Sequence, residues 1–521
     1  MFNINSNGID EVTVQTEETV KPTANSVEEF LDLKESEEKT EQILESENTP
    51  ESGASKLAEH QSKADQLSVE EQKKLTKLEK NIRYHKHVHG EDFRNIALAC
   101  FMIQRDKLYR EYPSQAAYFK IRFGLSRSHS LRLAQMGAII FRLSVSPTGD
   151  TVKLLVSDAH FRPLLKLTEQ QQDEVLGLAL RWAKMAKQAE IPAKMLAAAV
   201  TFLYPPLGPR KSKESARTKL AAQFEAAVES AKAKLPAGVD PIVTKSIEEL
   251  EQEAKEITRS ILSSTGIAWT MKTWNPLHGC TRCSPGCDNC YAAKQCATRL
   301  ADVYPGLADK RKSTKGKITY AFNGTIVLAP EELAEPLLDH VPKMIFVNSM
   351  SDLFHKGVPE EFIEAVFTVM EKAHWHTFQV LTKRPERMAK FTQKRYADKA
   401  PPKNIWLGTS TEDQATYDVR RQHLMETRAA VRWLSVEPLL GPINFGSMEG
   451  LDWIVVGGES GPGARPMAKV WATDIRDACQ KAGVPFFFKQ WGAFSEAGKK
   501  EREKIWPATL DGVVHHAYPQ I

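Results

Sequence analysis

The stretch FQVLTKRPERMAKFTQKRYADKAPPKNIWLG, residues 378–408, passes from an apolar run through polar and basic residues and a helical stretch to a second apolar run. Short apolar runs of this kind, each followed by polar or glycine residues and then a helical stretch, recur at 344–348, 378–382, 405–408, 431–436, 453–457 and 485–489. Strand alternating with helix predicts a parallel sheet, because parallel neighbours can be joined only by a long connection that packs back on the sheet. With an earlier strand near 267–274, about seven such units fill residues 263–521, the size of a β/α barrel of the TIM type, complete or partial. An open doubly wound sheet is the structural alternative.

Functional groups of a β/α barrel stand at the C-terminal ends of its strands. Nearly every run here delivers polar residues at that end, and a purely structural barrel has no need of them. Asp352, Glu437 and Lys489 are the candidate catalytic residues, the carboxylates as acid/base groups or as partners of ribose hydroxyls. Lys383 and Arg384 offer cationic donors to a carboxylate or a phosphate. Gly457, Gly458, Glu459 and Ser460 close the run at 453–457. The bland reading of each strand-end carboxylate is a cap on the following helix.

Five of the seven cysteines lie between Cys280 and Cys296. A chain of this kind, with no basic-then-apolar leader in its first ten residues, is expected in a reducing cytoplasm, where clustered thiols bind metal rather than form disulfides. Cys280, Cys283, Cys287 and Cys290 give C-x2-C-x3-C-x2-C, a spacing too tight for paired zinc knuckles a dozen or more residues apart. Dense thiolates on one loop containing Gly and Pro fit an iron–sulfur cluster better.

The first half is of another character. Residues 1–80 carry 9 Lys+Arg against 19 Asp+Glu, a balance of −10, and residues 81–210 carry 19 against 10, a balance of +9. Residues 1–77 read as a disordered acidic tail, 78–205 as a basic helical domain and 206–262 as a charged helical linker. The longest apolar stretch, residues 195–204, is about half of what a membrane crossing needs, so no span is expected. Within the basic domain, residues 115–139 predict a helix over 115–123, a turn at Gly124-Leu125-Ser126 capped by Ser126, and a second helix from Arg127. A helix-turn-helix would bring Arg127, Ser128 and His129 to base edges in DNA, with Arg122 and Arg132 on phosphates.

Two resemblances extend this reading. The run 123–133, with Ser157-Asp158-Ala159-His160-Phe161 after it, resembles DNA-binding domains of the ParB-like and phage-regulator type, which implies DNA as a partner. The motifs Trp274-Asn275-Pro276, Gly279-Cys280-Thr281, Ser284-Pro285-Gly286-Cys287, Cys290-Tyr291-Ala292, Asn348-Ser349-Met350-Ser351-Asp352, Leu381-Thr382-Lys383-Arg384-Pro385, Ser435-Val436-Glu437-Pro438, Gly457-Gly458-Glu459-Ser460 and Phe488-Lys489-Gln490-Trp491-Gly492 resemble the phage and prophage family named after gene products thirty-seven and sixty-eight, usually grouped with radical-SAM-like barrels. That resemblance selects Cys280, Cys287 and Cys290, whereas the C-x3-C-x2-C spacing of the radical S-adenosylmethionine superfamily selects Cys283, Cys287 and Cys290. Cys280 is preferred as the third ligand, with Cys283 as the alternate. Asn289 stands where the superfamily usually has an aromatic residue.

The resemblance implies a 4Fe–4S cluster and S-adenosylmethionine as cofactors, and Gly457-Gly458-Glu459 is similar to the glycine-rich motif that holds the cofactor's amino group. It implies a phage- or mobile-element-related enzyme that modifies or repairs a nucleic-acid base through a 5′-deoxyadenosyl radical, supplied with electrons by a flavodoxin or ferredoxin. The competing function is a non-enzymatic DNA-binding regulator or partition-like protein with a structural or redox-sensing metal.

Overall fold

The computed structural model describes residues 66–87, 93–144, 154–206, 226, 263–312, 318–461, 463–501 and 507–520. The tail up to residue 65 and nearly all of the linker lie outside the described residues. The chain divides into two compact units between Leu167 and Thr168.

The first unit is helical. Helix α1 (Val69–His87) starts inside the stretch read as tail. Ser68 and Glu71 cap each other reciprocally, Glu71 N donating to Ser68 Oγ (3.2 Å) and Ser68 N to a Glu71 carboxylate oxygen (2.8 Å), and Leu75, Leu78 and Ile82 form the buried face. Packing, not composition, thus sets the boundary. Helix α2 (Phe93–Arg105) crosses α4 (Arg127–Ser144) so closely at Gly137 that a Cβ there would lie 2.0 Å from the carbonyl oxygen of Ala97. Helix α3 (Gln115–Phe123) is capped by Ser114, whose Oγ accepts from Ala117 N, and is stopped by Gly124 in the left-handed conformation (φ +67°). Ser126 Oγ then accepts from His129 N at 3.3 Å and starts α4. The helix, turn and helix fall where residues 115–127 place them, the second helix running on to Ser144. A short helix α5 (Asp158–Phe161) follows.

Helices α6 (Glu169–Met185) and α7 (Ala193–Leu203), which the sequence joins to the basic domain, fall in the second unit. The apolar α7 buries Met195, Leu196, Ala198 and Ala199. It packs on the 3-10 turn Pro330–Glu332, and Lys372 Nζ donates to the free carbonyl of Phe202 at its end (2.6 Å).

Strands β1 (Lys272–Trp274), β6 (Met344–Val347), β7 (Thr377–Thr382), β8 (Ile405–Ser410), β9 (Val431–Val436), β10 (Trp453–Gly457) and β11 (Phe486–Gln490) form one seven-stranded parallel sheet in that order. Between β1 and β6 lie a short pair, β2 (Leu277–His278) with β5 (Val327–Leu328), and a hairpin, β3 (Ala308–Lys312) with β4 (Ile318–Phe322). The strand order never reverses, which a doubly wound sheet requires. Right-handed crossovers repeated in one direction put their helices on one face and curl the sheet into a half-barrel.

The period of two along each strand decides what fills the concave face. Phe346, Trp406, Trp433, Trp453, Val455 and Phe487 point inward and close around Trp269 from the segment before β1. Their rings meet edge-on or tilted, 5.2 Å apart for Trp433 and Trp453 and 5.3 Å for Trp269 and Trp433. Gly408 is the gap that receives Trp433, since a Cβ there would lie 2.5 Å from the indole. One end of the half-barrel is therefore solid, and only the C-terminal strand ends are open to carry a site. Among the described residues no helix is long and apolar enough to cross a membrane.

Candidate active site

Beyond the C-terminal ends of the strands lies a cavity of ≈ 240 Å³, walled by the loop between β2 and α8 (Tyr291–Cys296) and by the residues that end β6 to β11. Cys280, Cys283, Cys287 and Cys290 all line it, and so do Asp352, Lys383, Arg384, Glu437, Gly458, Glu459, Ser460 and Lys489. Gly457 stands behind this wall, where a Cβ would meet a Glu437 carboxylate oxygen at 2.7 Å. The second unit thus gathers twelve of its thirteen sequence candidates, from six separate chain segments, around one space.

The cysteine loop is held from both ends. Gly279 starts it with φ +92° and donates its N–H to Met350 O (3.2 Å). Ser284 Oγ donates to Glu412 Oε1 (2.8 Å), a carboxylate with no exposure that also accepts from Arg420 (3.0 Å). Asn289 donates to Glu459 (2.9 Å), and the Tyr291 hydroxyl to Ser349 O (2.8 Å).

Two of the candidate carboxylates prove to be anchors. Asp352 accepts from the Thr382 hydroxyl (2.7 Å) and Phe354 N (3.0 Å) on one oxygen, and from Lys383 N (3.1 Å) and Arg384 (2.7 Å) on the other. With its lone pairs taken, it ties β6 to β7 and has no free position from which to move a proton. Glu459 is likewise occupied by Asn289 and by the backbone and guanidinium of Arg465, which also donates to Pro285 O (2.9 Å) inside the cysteine loop. Arg465 and Arg420 carry no motif of their own, and Ser284 belongs to the run Ser284-Pro285-Gly286-Cys287 without being one of the candidate site residues. Ser284 meets Glu412, and Arg465 meets Pro285 O, across more than a hundred residues, whereas Arg465 reaches Glu459 over six residues and Arg420 reaches Glu412 over eight.

Arg384 is the most connected side chain of the site. Its guanidinium donates to Asp352, to Thr281 O (3.1 Å) and Oγ1 (2.9 Å), and to Cys280 Sγ (3.6 Å). Burial, joined by the charge of Asp352, pushes the Cys280 thiol up to about 12, against the pull of Arg384. The Cys283 and Cys287 sulfurs lie 4.0 Å apart. Either sulfur can donate across this contact; the neighbouring Cys283 thiol draws Cys287 toward the thiolate, burial opposes this, and the charge of Lys383 assists it. Burial works against the ammonium of Lys383, but Glu412 and Cys287 outweigh it and hold the group above the ordinary lysine range. Among the described residues Lys383 Nζ has no hydrogen bond or ion pair, so its donors are open to a ligand in the cavity. Glu437 accepts from Trp269 Nε1 and the Ser435 hydroxyl (3.2 Å each) and pairs with Lys489 at 2.8 Å.

The DNA-binding candidates belong to the first unit. Arg127, Ser128 and His129 are exposed on the first turn of α4. Arg132 pairs with Asp158 at 3.5 Å. Arg122 forks onto Glu79, which is only 6% exposed and also accepts from the Tyr118 hydroxyl (2.7 Å). Arg122→Ala is therefore expected to lower the stability of the helical unit by about 1–3 kcal/mol, the range for a buried pair discounted for the partial exposure of the arginine. Thermal unfolding reads this; unchanged stability with weakened DNA binding would return Arg122 to a phosphate contact.

Residues 264–519 match a family described as protein of unknown function (DUF5131). The match takes in the whole parallel sheet and the cysteine loop and stops short of the helical unit. No curated protein and no solved structure matches the chain.

Proposed function

We propose that this chain is a phage- or mobile-element-related iron–sulfur enzyme of the radical S-adenosylmethionine type, cytoplasmic, acting on nucleic acid. The observation that carries the reading is the convergence of four thiols from one loop on the cavity at the C-terminal ends of a parallel half-barrel. The donor set fits the group. Thiolates are the ligands iron–sulfur clusters take, and all four thiols of the loop border the one cavity.

Cys280, Cys287 and Cys290 would hold the cluster, with Cys283 as the alternate to Cys280. Bound there, the cluster and S-adenosylmethionine would supply a 5′-deoxyadenosyl radical, and electrons would come from a flavodoxin or ferredoxin. The chain's own residues bind and orient. Arg384 donates to Cys280 and lowers the charge density on that sulfur. The free ammonium of Lys383 suits a carboxylate group, and Ser460 and the Gly458 backbone border the same space. Glu459 serves by locking Arg465 and the cysteine loop, a holding role in place of the ligand contact that the motif resemblance implies. Glu437, paired with Lys489, is the remaining acid/base pair on the wall. The helical unit would present Arg127, Ser128 and His129 to DNA, raising its local concentration at the barrel.

Anaerobically purified protein is expected to be brown, with about four iron and matching sulfide per chain, and to release 5′-deoxyadenosine from S-adenosylmethionine once reduced. Cys287→Ala and Cys290→Ala should each abolish both. Zinc in a colourless protein, or iron without cleavage of S-adenosylmethionine, would replace the enzyme by a DNA-binding regulator with a structural or redox-sensing metal.

A further inference from the structure

A second and larger space of ≈ 1050 Å³ opens off the cysteine cavity beneath the β3–β4 hairpin, and the two share Cys290, Tyr291, Ser349, Ser460 and Lys489 as a common wall. The mechanism above makes no use of it. Its lining combines three phenol rings, Tyr291, Tyr304 and Tyr320, with the cations Lys294 and Arg299.

Neither cation has a carboxylate partner among the described residues; Arg299 reaches only the amide oxygen of Gln295, at 3.4 Å. The one carboxylate in the lining, Asp288, is already held by Arg282 at 2.6 Å and Arg465 at 3.6 Å. Lys489 is paired with Glu437, which faces the other cavity. At the rim, β3 exposes Lys310, Arg311 and Lys312 directly across from Tyr320, Thr319 and Ile318. The groove therefore carries uncompensated positive charge beside the rings of Tyr291 and Tyr320, the Tyr304 ring being packed on His278 at 4.4 Å, and Tyr291, 47% exposed, is open to contact while its hydroxyl is fixed on Ser349 O.

We propose that this groove takes a single strand of nucleic acid, its phosphates on Lys294, Arg299 and the β3 cations and its bases stacked on the tyrosine rings. This deepens the proposed function and rests on it for the statement that the strand leads to a reaction, because a base lodged on Tyr291 ends beside Cys290. Charge without rings would suit an acidic peptide equally. Rings need bases whose faces are free, which a duplex withholds and a single strand offers.

The test is fluorescence anisotropy of the full chain with a labelled oligothymidine strand across a salt series, with a duplex and polyglutamate as competitors. Each phosphate contact on a single strand contributes about 0.7 to the salt slope, so Lys294→Glu with Arg299→Glu should lower the slope by about 1.4. Tyr320→Ala should weaken binding roughly tenfold with the slope unchanged, and Lys294→Arg should bind as the parent. Circular dichroism establishes that the substitutions, at exposed Lys294 and Arg299 and half-buried Tyr320, leave the fold intact. An unchanged slope in the double variant, polyglutamate displacing the strand at equal charge concentration, or a duplex competing as well as the strand each overturns the proposal. Iron content and 5′-deoxyadenosine release on the same proteins separate the two readings. A chain that cleaves the cofactor but binds no strand overturns the groove alone, and one that binds through the groove without iron overturns the enzyme alone.

Discussion

Arg420→Met is expected to destabilise the barrel unit by about 3–5 kcal/mol, the cost of leaving one member of a buried ion pair without its partner. Arg420 and Glu412 have side chains 8% and 0% exposed, and the guanidinium also donates to Ser410 O at 2.7 Å. Without it, the Glu412 carboxylate keeps one side-chain donor, the Ser284 hydroxyl. A second change, Glu412→Leu in the Arg420→Met background, should restore much of the loss, because a buried pair replaced by apolar groups of similar volume is often near neutral. Urea unfolding of the four proteins of the cycle gives the coupling directly. The double variant still loses the Ser284 anchor, so its iron content is expected to fall while its stability recovers. A single variant within about 0.5 kcal/mol of the parent would mean that the pair is a bystander.

The second large effect is at Gly279, where the cysteine loop leaves β2. Alanine there meets two costs at once. The backbone stands at φ +92°, a conformation that costs an L side chain about 1–3 kcal/mol. Its Cβ would lie 2.0 Å from the carbonyl oxygen of Thr325, an overlap with backbone that costs about another 1–3 kcal/mol to relieve. Gly306→Ala isolates the first cost, since that glycine has φ +70° and open space around it. The difference between the two variants in denaturant unfolding reads the close approach of the cysteine loop to Thr325. Equal losses would show that the loop yields without penalty, and retained iron in Gly279→Ala would show that its position does not matter to the cluster.

The seven-strand reading rests on local signals and matches the structure closely. The runs at 431–436 and 453–457 coincide with β9 and β10, and the others differ by a residue or two, except that β1 occupies only the end of the run at 267–274. The rest of that run supplies Trp269, which leaves the strand to fill the half-barrel. The β3–β4 hairpin carries no such signal, because the exposed residues of β3, Asp309 to Lys312, show no apolar alternation, yet it roofs the groove beside the cysteines. Helices α6 and α7 lie in the second unit because an apolar helix packs where apolar surface is free, whatever precedes it in the chain.

The candidate site divides in the same way. That Cys280, Cys283, Cys287 and Cys290 act together follows from a spacing of a few residues on one loop, and that strand ends supply the other groups follows from the order of strand and helix. What each group does there depends on the partners that folding brings to it. Asp352 and Glu459 look like functional carboxylates until Arg384 and Arg465 are found occupying their lone pairs, whereas Lys383 looks like one more strand-end cation until it proves to be the one left without a partner among the described residues. Periodicity, capping and thiol spacing are local properties written in adjacent residues, so the strands of the half-barrel, the two helices on either side of Gly124 and the cysteine loop are legible without the fold. Hydrogen-bond saturation and burial arise only when folding brings groups together, so which charges hold the site and which remain free to use it emerges with the packed half-barrel and not before.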